Sequence, residues 1–371
     1  MGSTTKALVG VGGTVRGKLA GLRLRRPAHL LKLDRRREEL DLRLASRGRR
    51  HGSGDPRRHC LEPRPLSSSS TTPATTSSKS EAGAAADGPS SSQPFARIEV
   101  PHPVLALGKF NALHLGHKEL LYQASRFGSP CLLTFSGMAA VLQWEPLPPL
   151  TAERDRARVY ADWQADMHGG ARPFEITVPF RQVRHLQPED FVKVMVFEMG
   201  AKGMVCGENY RFGYRACGDA DLLRELGQKH GATVKVVDLV TTTTEEGEEE
   251  EEQGAAAISS SKIRSLIAEG RLGGVSTMLG RKYRLLADVR GGGAAARDGD
   301  GGAVSLRKDS FLNMVPGPGT YRVGLPSTDA EAILRVGEGQ ETVALETGGG
   351  DEADLLLGDA AAEGLLAIDF L

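Results

Sequence analysis

Short apolar runs alternate with stretches of helical periodicity between residues 98 and 280. Val104–Phe110 (VLALGKF) is almost continuously apolar, which is typical of a buried parallel strand. Further strands are predicted over 131–135, 174–178, 204–206 and 234–240, and helices over 117–127, 153–167, 219–230 and 262–269, with another helix opening at Pro188. Strands that alternate with helices of this length predict an α/β fold with a parallel sheet, whose ligands bind beyond the carboxyl ends of its strands.

The pattern changes after residue 280. Helical periodicity fades, and the short runs TYRVGL, AILRV, ETVAL and LLAIDF are separated by glycine-rich sequence. Such runs predict a small, β-rich, antiparallel domain. The Gly/Ala/Asp tract over 291–302 predicts a flexible loop. We therefore expect three regions, with bounds 1–95, 96–280 and 281–371.

The first region predicts no packed core. It is rich in arginine, and over 67–92 it consists mostly of Ser, Thr, Ala and Pro, so it buries too little apolar surface to offset its conformational entropy. An Arg- and Ser-rich composition is typical of an organelle transit peptide. The length of the hydroxyl-rich stretch favours the chloroplast, with the mitochondrion as the alternative. A disordered linker without a targeting role stays open, because Asp34, Glu38, Glu39 and Asp41 are unusual in an import signal.

Composition and charge narrow the classes of partner. The 371 residues include 47 Lys plus Arg and 47 Asp plus Glu, so a net charge of zero argues against nucleic acid as the partner. No apolar run approaches the roughly 18 to 20 residues that a membrane span needs. The four cysteines show no C-x-x-C spacing, which indicates a reduced compartment and neither a disulfide framework nor a zinc site. Small molecules are the expected partners, and the oligomeric state is not predicted.

The segment Gly108–His117 (GKFNALHLGH) joins the first predicted strand to the first predicted helix. His114 and His117 are three residues apart, so a helix start would place both imidazoles on one side. The helix N-terminus adds unpaired N–H groups and a partial positive charge. The segment therefore predicts an anion-binding pocket, and its candidate phosphate-binding residues are Gly108, Lys109, Phe110, Asn111 and Gly116. Metal ligation by the two histidines, or an ordinary polar helix start, are the other interpretations.

Two further segments carry candidate chemistry at predicted element ends. In GENYRFGYRACGD, Asn209 can read a hydroxyl or a base edge, and Arg211 can reach a phosphate. The alternative is a Gly-rich turn whose aromatic side chains anchor it to the core. In ISSSKIR, a serine triplet caps a helix and could share its free N–H groups with a phosphate, although plain capping is the alternative. The candidate residues of that segment are Ser259, Ser260, Ser261 and Arg264.

These linked motifs, with FRQVRHLQPEDFV and MLGRKY, resemble the FMN adenylyltransferase module of prokaryotic-type FAD synthetases, in the plastid form of plants and algae. The resemblance covers about half of the chain. It implies a Rossmann-like nucleotidylyltransferase fold, ATP and FMN as substrates, Mg²⁺ as cofactor, and FAD and pyrophosphate as products.

The resemblance also implies roles for single residues. His114 and His117 would contact the ATP phosphates, and Asn209 and Arg211 would fall in the nucleotide and phosphate region. Ser259, Ser260 and Arg264 would hold the β- and γ-phosphates. The predicted catalytic residues are His114, His117 and Arg264. No general base is predicted, because the attacking FMN phosphate is already an anion, and the metal ligands are not predicted.

Among the departures of the chain from the family pattern, three bear on activity or domain organisation. Asn111 stands where many members carry an aspartate, an acidic run occupies 245–252, and the sequence after Gly280-Arg281 lacks the Pro-Thr-Ala-Asn of the riboflavin kinase barrel. The third region is therefore expected to be a degenerate riboflavin kinase-like domain. A bifunctional kinase and adenylyltransferase, a different adenylyl acceptor (nicotinamide mononucleotide or phosphopantetheine), and a non-catalytic flavin- or nucleotide-binding protein stay open.

Overall fold

The computed structural model describes residues 95–242, 256–290, 295–298 and 303–371. The predicted transit peptide and the acidic run 245–252 lie outside the described residues, as does most of the tract 291–302.

The first sheet is parallel and confirms the predicted α/β class. Its central strand, PVLAL, is buried along its whole length, as a strand covered on both faces must be. The strand order is β3-β2-β1-β4-β5, and every pair runs parallel. The strands are β1 (Pro103–Leu107), β2 (Ser129–Ser136), β3 (Phe174–Pro179), β4 (Gly203–Gly207) and β5 (Thr233–Val237), and a two-stranded hairpin follows, formed by β6 (Thr241–Thr242) and β7 (Ala256–Ala257).

The five predicted helices are present, with ends that differ by a few residues, and among the described residues up to 280 the structure adds three helices that the sequence does not predict, at Met138–Leu142, Phe180–Val183 and Leu272–Leu279. The helix predicted over 153–167 starts with a 3₁₀ turn at Glu153–Asp155 and continues as α-helix only to Gln164. The α-helices of this part are α1 (Leu115–Ser125), α2 (Met138–Leu142), α3 (Arg156–Gln164), α4 (Phe180–Val183), α5 (Pro188–Lys193), α6 (Ala220–Lys229), α7 (Ser260–Ala268) and α8 (Leu272–Leu279). A π-helical turn, Val194–Glu198, extends α5.

The second sheet is antiparallel, and all four of the short runs predicted after residue 281 form strands in it. The strand order is β8-β14-β11-β12-β13-β10-β9. Its strands are β8 (Arg284–Asp288), β9 (Ala295–Asp298), β10 (Ala303–Arg307), β11 (Gly319–Leu325), β12 (Ala330–Val336), β13 (Thr342–Glu346) and β14 (Leu365–Phe370).

One helix in this region, α9 (Gly350–Glu363), was not predicted. Ala353, Leu356 and Ala360 form its buried face at spacings of three and four residues. Two of the three side chains are methyl groups, so the apolar stripe is narrow. Because glycine and aspartate lie within and beside the helix, its apolar positions do not show a clear helical spacing in the sequence.

A single hydrophobic core joins α7 and α8 to the second sheet. It contains Ile263 and Val275 from the helices together with Leu285 and Leu345 from the strands. Ala112, from the segment after β1, belongs to the same core. Packing of the second sheet therefore reaches the loop that carries the two histidines. Among the described residues, no helix is long and apolar enough to cross a membrane.

Candidate active site

The carboxyl ends of β1 and β4 lie side by side at the point where the strand order reverses. Leu107 pairs with Cys206, so the segments that start at Gly108 and Gly207 leave the sheet at neighbouring positions. Ligands of open α/β sheets bind at this kind of switch point. The structure thus brings the first two predicted motifs to one edge of the sheet.

The two histidines form a stacked pair at the start of α1. His114 has an extended backbone and precedes the first helical residue, and its ring lies 3.6 Å from that of His117, centroid to centroid. Only 7% of His114 and 6% of His117 are exposed. A Cβ atom at Gly116 would lie 3.1 Å from the His114 ring, so glycine lets the ring fold over the helix N-terminus.

Burial and neighbouring cations keep both imidazoles neutral. Burial, followed by the charge of Arg281, lowers the pKa of His114 from 6.5 to about 4. Burial also holds the pKa of His117 well below its usual value, with added contributions from His114, Arg156 and Arg281. Among the described residues, the buried Nδ1 atom of each ring has no hydrogen-bond partner. The pair therefore combines unused hydrogen-bonding capacity with a positive electrostatic environment.

The other residues of the first motif support the pair in different ways. The Phe110 ring meets the His117 ring edge-on at 4.8 Å between centroids. A Cβ atom at Gly108 would lie 3.3 Å from the same Phe110 ring. Lys109 Nζ lies 5.8 Å from the exposed Trp144 ring. Asn111 Oδ1 accepts a hydrogen bond from Leu150 N at 2.8 Å, so this side chain holds a neighbouring loop.

The second motif folds as a closed turn beyond β4. Backbone hydrogen bonds join Phe212 and Gly218 in both directions, and the buried Phe212 ring packs against Phe191. The interpretation in which aromatic side chains anchor this turn therefore accounts for Phe212.

Asn209 and Arg211 face a groove of about 470 Å³ next to this turn, lined mainly by Glu208, Asn209, Arg211, Asp219, Arg224 and Asp238. Arg211 Nη1 lies 4.0 Å from Asp219 Oδ2. The two histidines are not among the residues that line the groove in the described part of the chain. Binding of nucleotide by Asn209 and Arg211 stays a prediction.

The third motif begins α7. Ser259 Oγ accepts a hydrogen bond from Lys262 N at 3.2 Å, which is the capping role that was weighed from the sequence. Ser260 and Ser261 are the first two helical residues. Arg264 Nη2 donates to Pro148 O at 2.8 Å. Asn111 therefore binds Leu150, and Arg264 of α7 binds Pro148, two residues earlier in the same loop. The first and third motifs thus contact the same segment.

Sequence reasoning missed two arginines that shape the site. Arg281 donates to Leu113 O at 2.6 Å and to Ala112 O at 3.0 Å. Arg156 donates to Phe110 O at 2.6 Å and forms an ion pair with Glu175 at 2.7 Å. All three bonds to the histidine loop are made to backbone oxygens from distant parts of the chain, and the sequence carries no periodic signal for such contacts.

Comparison with known proteins finds similarity to FAD synthetases. Residues 98–250 match the family model described as FAD synthetase. Two chloroplastic FAD synthetases of Arabidopsis thaliana, numbered 2 and 1, are 41% and 38% identical over 60% and 59% of this chain. The matched part spans 60% and 62% of the lengths of those two proteins.

A solved structure agrees at the level of the fold. The crystal structure of a protein from Streptococcus pneumoniae, named as a macrolide-efflux protein, superposes with a TM-score of 0.53 over 72% of this chain and 84% of that one. At 20% identity, this likeness shows the fold alone. The similarity to FAD synthetases therefore rests on the family-model match over residues 98–250 and on two plant relatives that this chain covers to about 60% of their length.

Proposed function

We propose that this protein is an FMN adenylyltransferase, which transfers AMP from ATP to FMN and gives FAD and pyrophosphate. The observation that carries the proposal is the neutral, stacked pair His114 and His117 at the N-terminus of α1, beside the charges of Arg156 and Arg281. Relatives named FAD synthetase, at 38% and 41% identity, support the choice of reaction.

The reaction needs two anions held in line. An oxygen of the FMN phosphate attacks the α-phosphorus of ATP, and the bond from that phosphorus to the oxygen bridging to the β-phosphate breaks. The electron pair leaves with pyrophosphate. Because the nucleophile is already ionised, positioning and stabilisation of the leaving charge account for catalysis, and no general base is needed.

The histidine pair suits this task because it is neutral. A neutral imidazole can donate one N–H to a phosphate oxygen without a prior proton exchange at pH 7. Each buried Nδ1 without a partner costs about 1–3 kcal/mol, and a ring that turns to donate to phosphate relieves this cost. The free N–H groups at the start of α1 and the two guanidinium groups add positive potential where charge develops.

The residues of the second and third motifs are proposed to hold the rest of the substrates. Asn209 and Arg211 would contact the nucleotide across the carboxyl edge of the sheet. Ser259, Ser260 and Ser261 would share the N-terminus of α7 with the leaving phosphates, and Arg264 would add charge. The neighbouring ends of β1 and β4 support the assignment of Asn209 and Arg211. The bond of Arg264 to Pro148, next to the residues that contact the histidine loop, supports the assignment of the α7 residues.

Mg²⁺ stays a prediction from the resemblance. Among the described residues, no group of three or more His, Cys, Asp or Glu side chains is placed to hold a metal ion. At the position where the family carries an aspartate, Asn111 uses its oxygen to accept from Leu150 N. Mg²⁺ that accompanies a nucleotide is usually held by substrate phosphates and only one or two protein ligands, so the ion would enter the site together with ATP.

The names of the plant relatives support the chloroplast as the location of this protein. ATP and FMN are the proposed partners.

The proposal is tested with the purified protein, ATP, FMN and Mg²⁺. FAD and pyrophosphate should appear in equal amounts, measured by chromatography and by a coupled phosphate assay. Parallel reactions with nicotinamide mononucleotide and with phosphopantetheine in place of FMN test the choice of acceptor. Turnover with either of these, and none with FMN, would contradict the proposal.

A further inference from the structure

Segment 148–151 links the histidine loop to other parts of the chain. Leu150 N donates to Asn111 Oδ1 at 2.8 Å, and Thr151 Oγ1 donates to Ala112 O at 2.8 Å. Asn111 and Ala112 stand just before His114 in the chain. The position of segment 148–151 therefore restrains the loop that presents the first imidazole.

Other atoms of this segment are bound by a residue of α7 and by residues that follow β10. Met314 N donates to Pro149 O at 2.9 Å, and Asn313 Nδ2 approaches Leu150 O at 3.4 Å. Arg264 Nη2 completes the set through Pro148 O. Segment 148–151 is thus bound both by the histidine loop and by α7 with the residues that follow β10.

Asn313 fastens this connection to β8. The residue is 2% exposed, and its Oδ1 accepts from Leu286 N at 2.9 Å while Nδ2 donates to Arg284 O at 2.8 Å. The amide thereby bonds the backbone of β8 through Oδ1 and one N–H, and its second N–H is shared between Tyr283 Oη at 3.0 Å and Leu150 O. A buried side chain bonded in this way has a fixed orientation, so its contact with Leu150 O is fixed as well.

Arg281 restrains the histidine loop directly. Its guanidinium reaches Leu113 O, Ala112 O and, at 3.1 Å, Thr151 Oγ1. Leu113 is fully buried and has a φ of +49°, in the left-handed region that an L-residue with a large side chain rarely adopts. Such a conformation persists only when its surroundings determine it, and Arg281 binds the carbonyl of this very residue.

We infer that Arg281 and Asn313 are positioning residues for adenylyl transfer, which hold the loop Asn111–His114 so that both imidazoles face the triphosphate. The inference rests on the proposed function and extends it to the second sheet. Both residues lie beyond residue 250, where the family match ends. The second sheet is therefore a working part of the adenylyl transfer site.

Arginine-to-lysine substitutions give a matched test. Arg281→Lys keeps the positive charge but cannot span three acceptors with one ammonium group. Arg335→Lys is the control, because Arg335 pairs with Glu346 on the exposed face of the second sheet. We expect kcat for FAD formation to fall by about ten- to a hundredfold in Arg281→Lys, with little change in KM for FMN, and to stay at the wild-type value in the control.

Asn313→Ala tests the second residue independently. Its control is Ser310→Ala, which removes one partly buried hydrogen bond, from Ser310 Oγ to Arg307 O, without touching segment 148–151. Rates are compared per folded molecule, well below each melting temperature. We expect kcat to fall in Asn313→Ala and not in Ser310→Ala. Unchanged kcat in folded Arg281→Lys and folded Asn313→Ala would overturn the inference, and if one variant does not fold, the other decides.

A readout that needs no turnover separates this inference from the proposed function. The ¹⁵N imidazole signals of His114 and His117 are recorded for the wild type, Arg281→Lys and Arg335→Lys. We expect both signals to move in Arg281→Lys alone. If the wild type forms no FAD, the proposed function fails, whereas positioning of the histidines by Arg281 fails only if the signals of Arg281→Lys coincide with those of the wild type.

Discussion

Gly116→Ala separates helix stability from placement of the histidines. Gly116 is the second residue of α1, where alanine is intrinsically favoured over glycine by about 0.5–1 kcal/mol. The added Cβ would lie 3.1 Å from Cε1 and Nδ1 of His114, so the ring must yield by roughly a few tenths of an ångström. We therefore expect a chain that is as stable as the wild type or more stable, and that is less active.

The size of the loss follows from the displacement. A misplacement of about 1 Å can cost a hundredfold in rate, so a few tenths should cost about tenfold, or about 1.4 kcal/mol of barrier. FAD formation and thermal unfolding are measured on the same preparation. Gly358→Ala is the control, because Gly358 lies in the middle of α9 and a Cβ there meets no atom within 4 Å. Full activity in Gly116→Ala would refute the claim that ring placement matters.

Two further predictions concern His114, and a third concerns the C-terminal region. His114→Ala should cost about 2–4 kcal/mol of transition-state stabilisation, measured as kcat/KM for FAD formation. The control, His185→Ala at an exposed position, should leave kcat/KM unchanged. Equal kcat/KM in His114→Ala and the wild type would count against the assignment of His114. Burial lowers the pKa of His114 from 6.5 to about 4, so the unfolded chain binds one more proton at this residue than the folded chain between these pH values. The free energy of unfolding should therefore decrease by up to about 3 kcal/mol from pH 6.5 to pH 4. Above pH 6.5 this group should not affect it. Chemical denaturation should show a shallower decrease in His114→Asn, and an identical decrease in both proteins would contradict the pKa. Riboflavin and ATP should give no FMN, since the Pro-Thr-Ala-Asn sequence of the kinase is missing, and FMN formation would establish a bifunctional enzyme.

The sequence predicts the fold well where one physical signal dominates. Val104–Leu107 is apolar at every position because it lies in the centre of the first sheet, and such a run predicts a strand without knowledge of its neighbours. Strands β11 to β14 carry a different signal, because their buried residues alternate with more exposed ones. Helix α9 is not, because its buried face consists largely of alanine within an acidic, glycine-containing stretch.

In the candidate site, too, local features can be predicted from the sequence and contacts between distant residues cannot. The spacing of His114 and His117 and the glycine between them indicate the imidazole pair, since these are local properties of a helix start. The bonds of Arg281 to Ala112 and Leu113 join residues about 170 positions apart. Contacts over such distances depend on how the second sheet packs, and no local pattern predicts them. The low pKa of His114 depends on the same packing, because burial and Arg281 both cause it.

The central claim is that His114, His117 and the serine-capped start of α7 surround one triphosphate. A crystal structure of the protein with α,β-methylene-ATP, which cannot transfer its adenylyl group, tests this most directly. Our account predicts that oxygens of a single triphosphate lie within hydrogen-bonding distance of an imidazole nitrogen and of N–H groups at Ser260 or Ser261. A triphosphate bound in the groove of Glu208 and Asp238, away from both imidazoles, would contradict it.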